Sequence, residues 1–132
     1  MALQIPPNCD LTLGLICIEK STPGRSTWQM NVDERFLNPA GLVQGGFLSA
    51  MLDSAMGASA VTGAKGRRVS VVNAEMKVSF LSPARVGDRL TCTADVVKAG
   101  VAVIFLEARI TNQREELVAT ATSTYLVRER TE

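Results

Sequence analysis

Asp53 stands alone in a stretch with no other charge between Arg35 and Lys65, among Met51, Leu52, Ala55 and Met56. An ionised carboxylate in such surroundings is costly unless something pairs with it. Two readings follow. One is a general base or nucleophile tuned by its surroundings. The other is a structural carboxylate that bonds neighbouring hydroxyls or reaches solvent at an oligomer edge. The chain contains no histidine. Ser-His-Asp and Cys-His nucleophile systems are thereby excluded, as are zinc sites of the H-E-x-x-H type. Acid–base work falls to a carboxylate, a lysine, a tyrosine or backbone dipoles.

Just upstream runs Asn38-Pro-Ala-Gly-Leu-Val-Gln-Gly-Gly46. Glycines at a helix start let a substrate approach unpaired backbone N–H groups at the positive end of the helix dipole. Such groups can polarise a carbonyl and hold developing oxyanion charge; a tight turn into a crowded helix would use the same two residues. Seven residues separate Gly46 from Asp53, about 10.5 Å along a helix axis. A reacting carbonyl needs its base and its oxyanion donors each within about 3 Å. One helix therefore does not serve both ends of one reaction, whereas two antiparallel helices do. The spacing predicts a dimer with two composite sites.

The elements that must position these residues are legible from periodicity. Residues 46–61, rich in Ala, Leu and Met and apolar almost all round, predict a helix enclosed by other structure. Lys65, Arg67 and Arg68 follow it and suit a helix C-terminus. The apolar stretch Leu11 to Ile18 and the alternating run 26–32, with Trp28, Met30 and Val32 on one face, predict a strand hairpin. Four more strands are predicted over 70–80, 89–97, 101–111 and 116–127, separated by turn chemistry such as Ser82-Pro83 and Val86-Gly87. In the first, Val72, Ala74, Met76, Val78 and Phe80 are assigned to the core face and Asn73 to the opposite one. Short turns favour antiparallel neighbours. The expected class is α+β: one antiparallel sheet whose apolar face wraps a single helix, in one domain over residues 1–132.

Composition is ordinary, with a formal net charge of +1 and 46% hydrophobic residues. That balance gives no general pull toward nucleic acid or an anionic membrane. Three cysteines without a C-x-x-C pair suit reduced thiols in a cytoplasm. Cys17 and Cys92 fall on apolar strand faces, where packing is the expected role. The start, MALQIPPNCD, lacks the pattern of a signal peptide, and no apolar run reaches spanning length.

Taken in order, Asn38-Pro39-x-Gly41-x-x-Gln44-Gly45-Gly46, then Asp53 on its apolar helix, then Phe80-Leu81-Ser82-Pro83-Ala84-x-x-Gly87-Asp88, and finally Leu117-Val118-Ala119-Thr120-Ala121, the chain resembles the hotdog-fold acyl-CoA thioesterases of the phenylacetate-pathway type. The similarity runs from about Leu13 to Val127. It implies hydrolysis of an acyl-CoA thioester to a carboxylic acid and free coenzyme A, without metal or other cofactor, in a homodimer or a dimer of dimers. Asp53 would activate water or attack the carbonyl itself. Gly45 and Gly46 would polarise that carbonyl, and Asn38 would hold the approach loop and the thioester.

Two positions depart from the family pattern. Gln44 stands where histidine usually precedes the glycines; glutamine orients a group but carries no proton at neutral pH. Asn73 stands where serine or threonine is common. It can hold a water, and its place on the strand requires a bulge or a partner chain to bring it to the site. Lys65, Arg67, Arg68 and Arg85 are the candidates for the coenzyme A phosphates, against a plainer role as solvated turn charge. A non-catalytic acyl-CoA binding or assembly protein of the same fold is the alternative, and a purely structural dimer a third reading.

Overall fold

Helix α2, Gly45–Thr62, runs 18 residues, and its sheet-facing stripe buries Leu48, Met51, Leu52, Ala55, Met56, Ser59 and Ala60. That spacing by threes and fours is what one helical face requires. At its end Gly63 donates to the Ser59 carbonyl. A Cβ at Gly63 would lie 2.8 Å from a Val96 methyl and 3.1 Å from the Gly24 Cα, so only glycine lets these backbones pass. No helix among the described residues is long and apolar enough to cross a membrane.

The computed structural model describes residues 4–131. Strands β1 (Ile16–Glu19), β2 (Arg25–Asn31), β3 (Val69–Phe80), β4 (Arg89–Ala99), β5 (Val103–Thr111) and β6 (Leu117–Glu129) form one sheet. Its order is β1-β2-β4-β5-β6-β3, with every pair antiparallel. The inner face carries Trp28, Met30, Leu90, Cys92, Ile104, Leu106, Ile110 and Ala119 against α2. A polar row crosses the outer face: Lys77, Thr122, Glu107, Asp95 and Arg25 lie side by side across five strands. The expected α+β arrangement and the β1–β2 hairpin are both present, but β3 and β4, expected as antiparallel neighbours across the short Ser82–Gly87 turn, do not pair: β3 lies at the sheet edge against β6, and β4 lies between β2 and β5.

Three further expectations need correction. The stretch read as beginning a strand at Leu11 first forms a short helix α1, Asn8–Leu13, which Gly14 ends at φ 66°. Pro6-Pro7 before it and Gly14 after it are the signals that mark it. Second, α2 is not enclosed on all sides. The sheet covers one face, while Gly46, Asp53 and Val61 are exposed, so Asp53 is not a buried carboxylate in the single chain. Third, the strand over 70–80 changes phase. Its register with β6 shifts between Asn73 and Glu75, leaving Ala74 as the extra residue of a bulge. Val71 and Asn73 therefore face the helix, as do Met76 and Val78 beyond the bulge, whereas Val72 is 66% exposed on the outer face.

A chain of buried hydroxyls ties helix to sheet. Trp28 Nε1 donates to Ser26 Oγ at 2.9 Å, Ser26 and Ser59 share a 2.7 Å bond, and Ser59 Oγ donates to the Ala94 carbonyl at 2.9 Å. It links β2, α2 and β4, and a break strands a buried donor. Ser26→Ala, which orphans the Trp28 indole N–H, is expected to lower unfolding free energy in urea by about 1–3 kcal/mol. A loss under a few tenths would mean the chain does not bear on stability.

Candidate active site

Asp53 projects from the open side of α2 toward β3 and β6. Its Oδ1 accepts from Asn73 Nδ2 at 2.9 Å and from the Tyr125 hydroxyl at 2.5 Å. Behind them Ser123 Oγ stands 2.8 Å from Asn73 Oδ1 and 2.7 Å from the Glu75 carbonyl. The bulge at Ala74 is what turns Asn73 to this face, and Asn73 pairs directly across from Tyr125. One of the two routes expected for Asn73, a bulge, is thus built into β3. Burial, with the bond to Asp53 and its charge, pushes the Tyr125 phenol far above its usual range. It remains a donor.

The second group of candidates lies at the N-terminal end of α2. Asn38 Oδ1 accepts from the Ala40 N–H at 2.9 Å and the Leu42 N–H at 3.1 Å, and Gly41 completes this turn at φ 79°. The loop is pinned further by the Leu37–Val43 bridge and by bonds from Val43 N to the Ala84 carbonyl and Gln44 N to the Phe36 carbonyl. Gln44 is the exposed N-cap residue, and its side chain makes no capping bond. Among the described residues nothing accepts from the N–H of Gly45 or Gly46, as expected in a first helical turn. A groove of about 470 Å³ opens here, lined by Asn38, Leu48, Phe80, Ser82 and Pro83 among others. A Cβ at Gly45 would lie 2.8 Å from the Phe80 ring, so the residue keeps this end open.

Asp53 and Asn73 are brought together, as are Asn38, Gln44, Gly45 and Gly46, but one chain does not join the two groups. Eight residues from Gly45 to Asp53 is about 12 Å of helix. The basic candidates divide similarly. Lys65 and Arg68 are exposed past the C-terminal end of α2, and Arg85 is exposed past β3, beside the groove. Arg67 is engaged, with Nε 3.1 Å from Glu129 and a bond from its other arm to the Val101 carbonyl.

Tyr125 and Ser123 were not among the residues singled out from sequence. Their signal was there: both share the inward phase of β6 with Ala119 and Ala121, where a hydroxyl needs a partner. The thiols follow their expected packing. Cys92 is fully buried and burial pushes its thiol up to about 12, whereas Cys9 is exposed. A chromogenic disulfide reagent is therefore expected to label Cys9 rapidly in the native protein and Cys92 only on unfolding. Rapid native labelling of Cys92 would contradict this core.

The model of the thioesterase superfamily matches residues 40–119. Acyl-coenzyme A thioesterase 13 of Homo sapiens is 27% identical over 106 residues, covering 80% of this chain and 74% of that protein. The E. coli PaaI protein from the phenylacetic acid degradation operon superposes with a TM-score of 0.85 at 26% identity, covering 92% of this chain and 84% of its own. AziG of S. sahachiroi superposes at 0.86 and 27%, covering 96% of this chain and 100% of its own. The sheet around one long helix is thus the hotdog fold of these relatives. With the family match spanning well over half of its length, the chain belongs to the thioesterase superfamily, and its reaction class is thioester hydrolysis.

Proposed function

We propose that this chain hydrolyses the acyl-CoA thioester of a small aryl or short- to medium-chain acyl group, giving the carboxylic acid and free coenzyme A. The observation that carries the reading is the outward-facing carboxylate of Asp53, held by two donors beside an uncovered strand edge. Asp53 takes a proton from water as that water adds to the carbonyl carbon, or adds to it directly and is released by water in a second step. The N–H groups of Gly45 and Gly46 receive the developing oxyanion. The carbon–sulfur bond then breaks, and the coenzyme leaves as a thiol once protonated. The relatedness to acyl-coenzyme A thioesterase 13 supports coenzyme A as the thiol.

The site is completed by a second copy. β3 is an edge strand of 12 residues, and an edge that long is a template for pairing. Pairing two β3 edges sets two α2 helices antiparallel, which carries Gly45 of one chain toward Asp53 of the other. It also brings Lys65 and Arg68 of one chain toward the Arg85 end of its partner, where they receive the coenzyme phosphates. Gln44 orients the bound thioester. A tetramer would follow from packing two such dimers.

Thiol release from a panel of acyl-CoAs tests the chemistry. Asp53→Asn is expected to reduce turnover on the order of 10²–10⁴-fold while acyl-CoA still binds; undiminished turnover would sink the mechanism. The composite site has its own test. Gly45→Pro removes one N–H and crowds the Phe80 ring, yet proline suits the first helical position and Gln44 already has the extended backbone (ψ 138°) that a following proline needs. Each variant alone is expected to be inactive. Refolded together in equal amounts they are expected to recover about a quarter of natural activity, because half the two-fold dimers hold one intact site. No recovery from a mixture that forms dimers would place the whole site within one chain.

A further inference from the structure

The two oxygens of Asp53 are unequal. Oδ1 accepts from both Tyr125 and Asn73, at 2.5 and 2.9 Å, while among the described residues no donor reaches Oδ2. A carboxylate oxygen has two in-plane lone pairs, so Oδ1 is saturated and Oδ2 retains both of its own. We propose that Tyr125 is a positioning residue that clamps Oδ1 and so presents Oδ2 as the oxygen that takes the proton from water or attacks the thioester. The proposal rests on Asp53 driving the hydrolysis.

The clamp is built from several elements at once. Tyr125 is 2% exposed, and its ring lies against α2 at Gly57, where an added Cβ would approach the ring at 3.7 Å. Its backbone pairs with Asn73 on one side and Ile104 on the other. Its hydroxyl is also 2.8 Å from the main-chain carbonyl of Asp53, so the phenol spans both side chain and backbone of one residue. Ser123 fixes the Asn73 amide from behind, which aims Nδ2 at the same Oδ1. Tyr125 does not itself transfer the proton. It is enclosed, and burial and the neighbouring carboxylate both hold its own proton in place.

Tyr125→Phe keeps the ring and deletes the clamp. The expected result is a fall in kcat on the order of 10- to 100-fold, the loss of one hydrogen bond to a charged group, with KM for acyl-CoA nearly unchanged. A fall in stability with kcat unmoved would reduce Tyr125 to a packing residue and overturn the proposal.

A second readout needs no turnover. Tyr125 is the only tyrosine of the chain, so tyrosinate absorbance in the near ultraviolet follows this phenol alone. In Asp53→Asn its ionisation is expected to shift to lower pH, since the carboxylate charge that opposes it is gone. An unshifted titration would overturn the contact and the proposal with it. Full turnover in Asp53→Asn would instead overturn the hydrolysis reading, and the positioning role with it, even if the tyrosinate shift appears.

Discussion

The structure depends on one packing constraint: a long apolar helix has to be covered, and a single six-stranded sheet covers only one side of it. The large residues Leu48, Met51, Leu52 and Met56 meet the inner face of the sheet. Gly46, Asp53 and Val61 are left on the other faces, exposed. Everything of chemical interest is on that uncovered side. The free edge of β3, the start of α2 and the Asp53 carboxylate all border the same open flank. An exposed strand edge of this length and a half-covered apolar helix are unstable company in water, which is the physical ground for a second copy in the proposed assembly.

Within that frame the bulge at Ala74 does the local work. Side chains alternate along a strand, so one extra residue exchanges the two faces from that point on. Before the bulge Asn73 faces the helix, and beyond it Met76 and Val78 do so. Without the extra residue either Asn73 would leave Asp53 or the apolar half of β3 would leave the core. The bulge lets one strand serve both, and places an amide opposite the phenol of Tyr125 so that the two converge on one carboxylate oxygen.

The polar groups inside the fold divide into two networks with different tasks. Ser26, Trp28 and Ser59 form a closed relay between sheet and helix, every donor of which ends on a protein acceptor. The group around Asp53 is left open by one oxygen. A closed network rigidifies the helix on its sheet, and that rigidity holds the open one still. The start of α2 has a comparable division: loop amides are bonded through Asn38, while among the described residues nothing accepts from the first two helical N–H groups.

By itself the sequence determined the helix around Asp53, the presence and faces of most strands, the irregular loop from Asn38 and the paired glycines at the helix start. These are local in origin, because helical and strand periods and turn residues are properties of neighbouring positions. It did not reveal the short helix before β1, whose six residues are too few to show a period. Nor did it reveal the open flank of α2, because an apolar pattern says that a surface is covered and not by which chain. The phase of β3 and the role of Tyr125 belonged to the tertiary structure alone. A bulge is set by pairing with a strand some fifty residues away, and the bond from Tyr125 to Asp53 joins positions 72 residues apart. Such contacts leave no local period, and only the assembled sheet brings them within hydrogen-bonding distance.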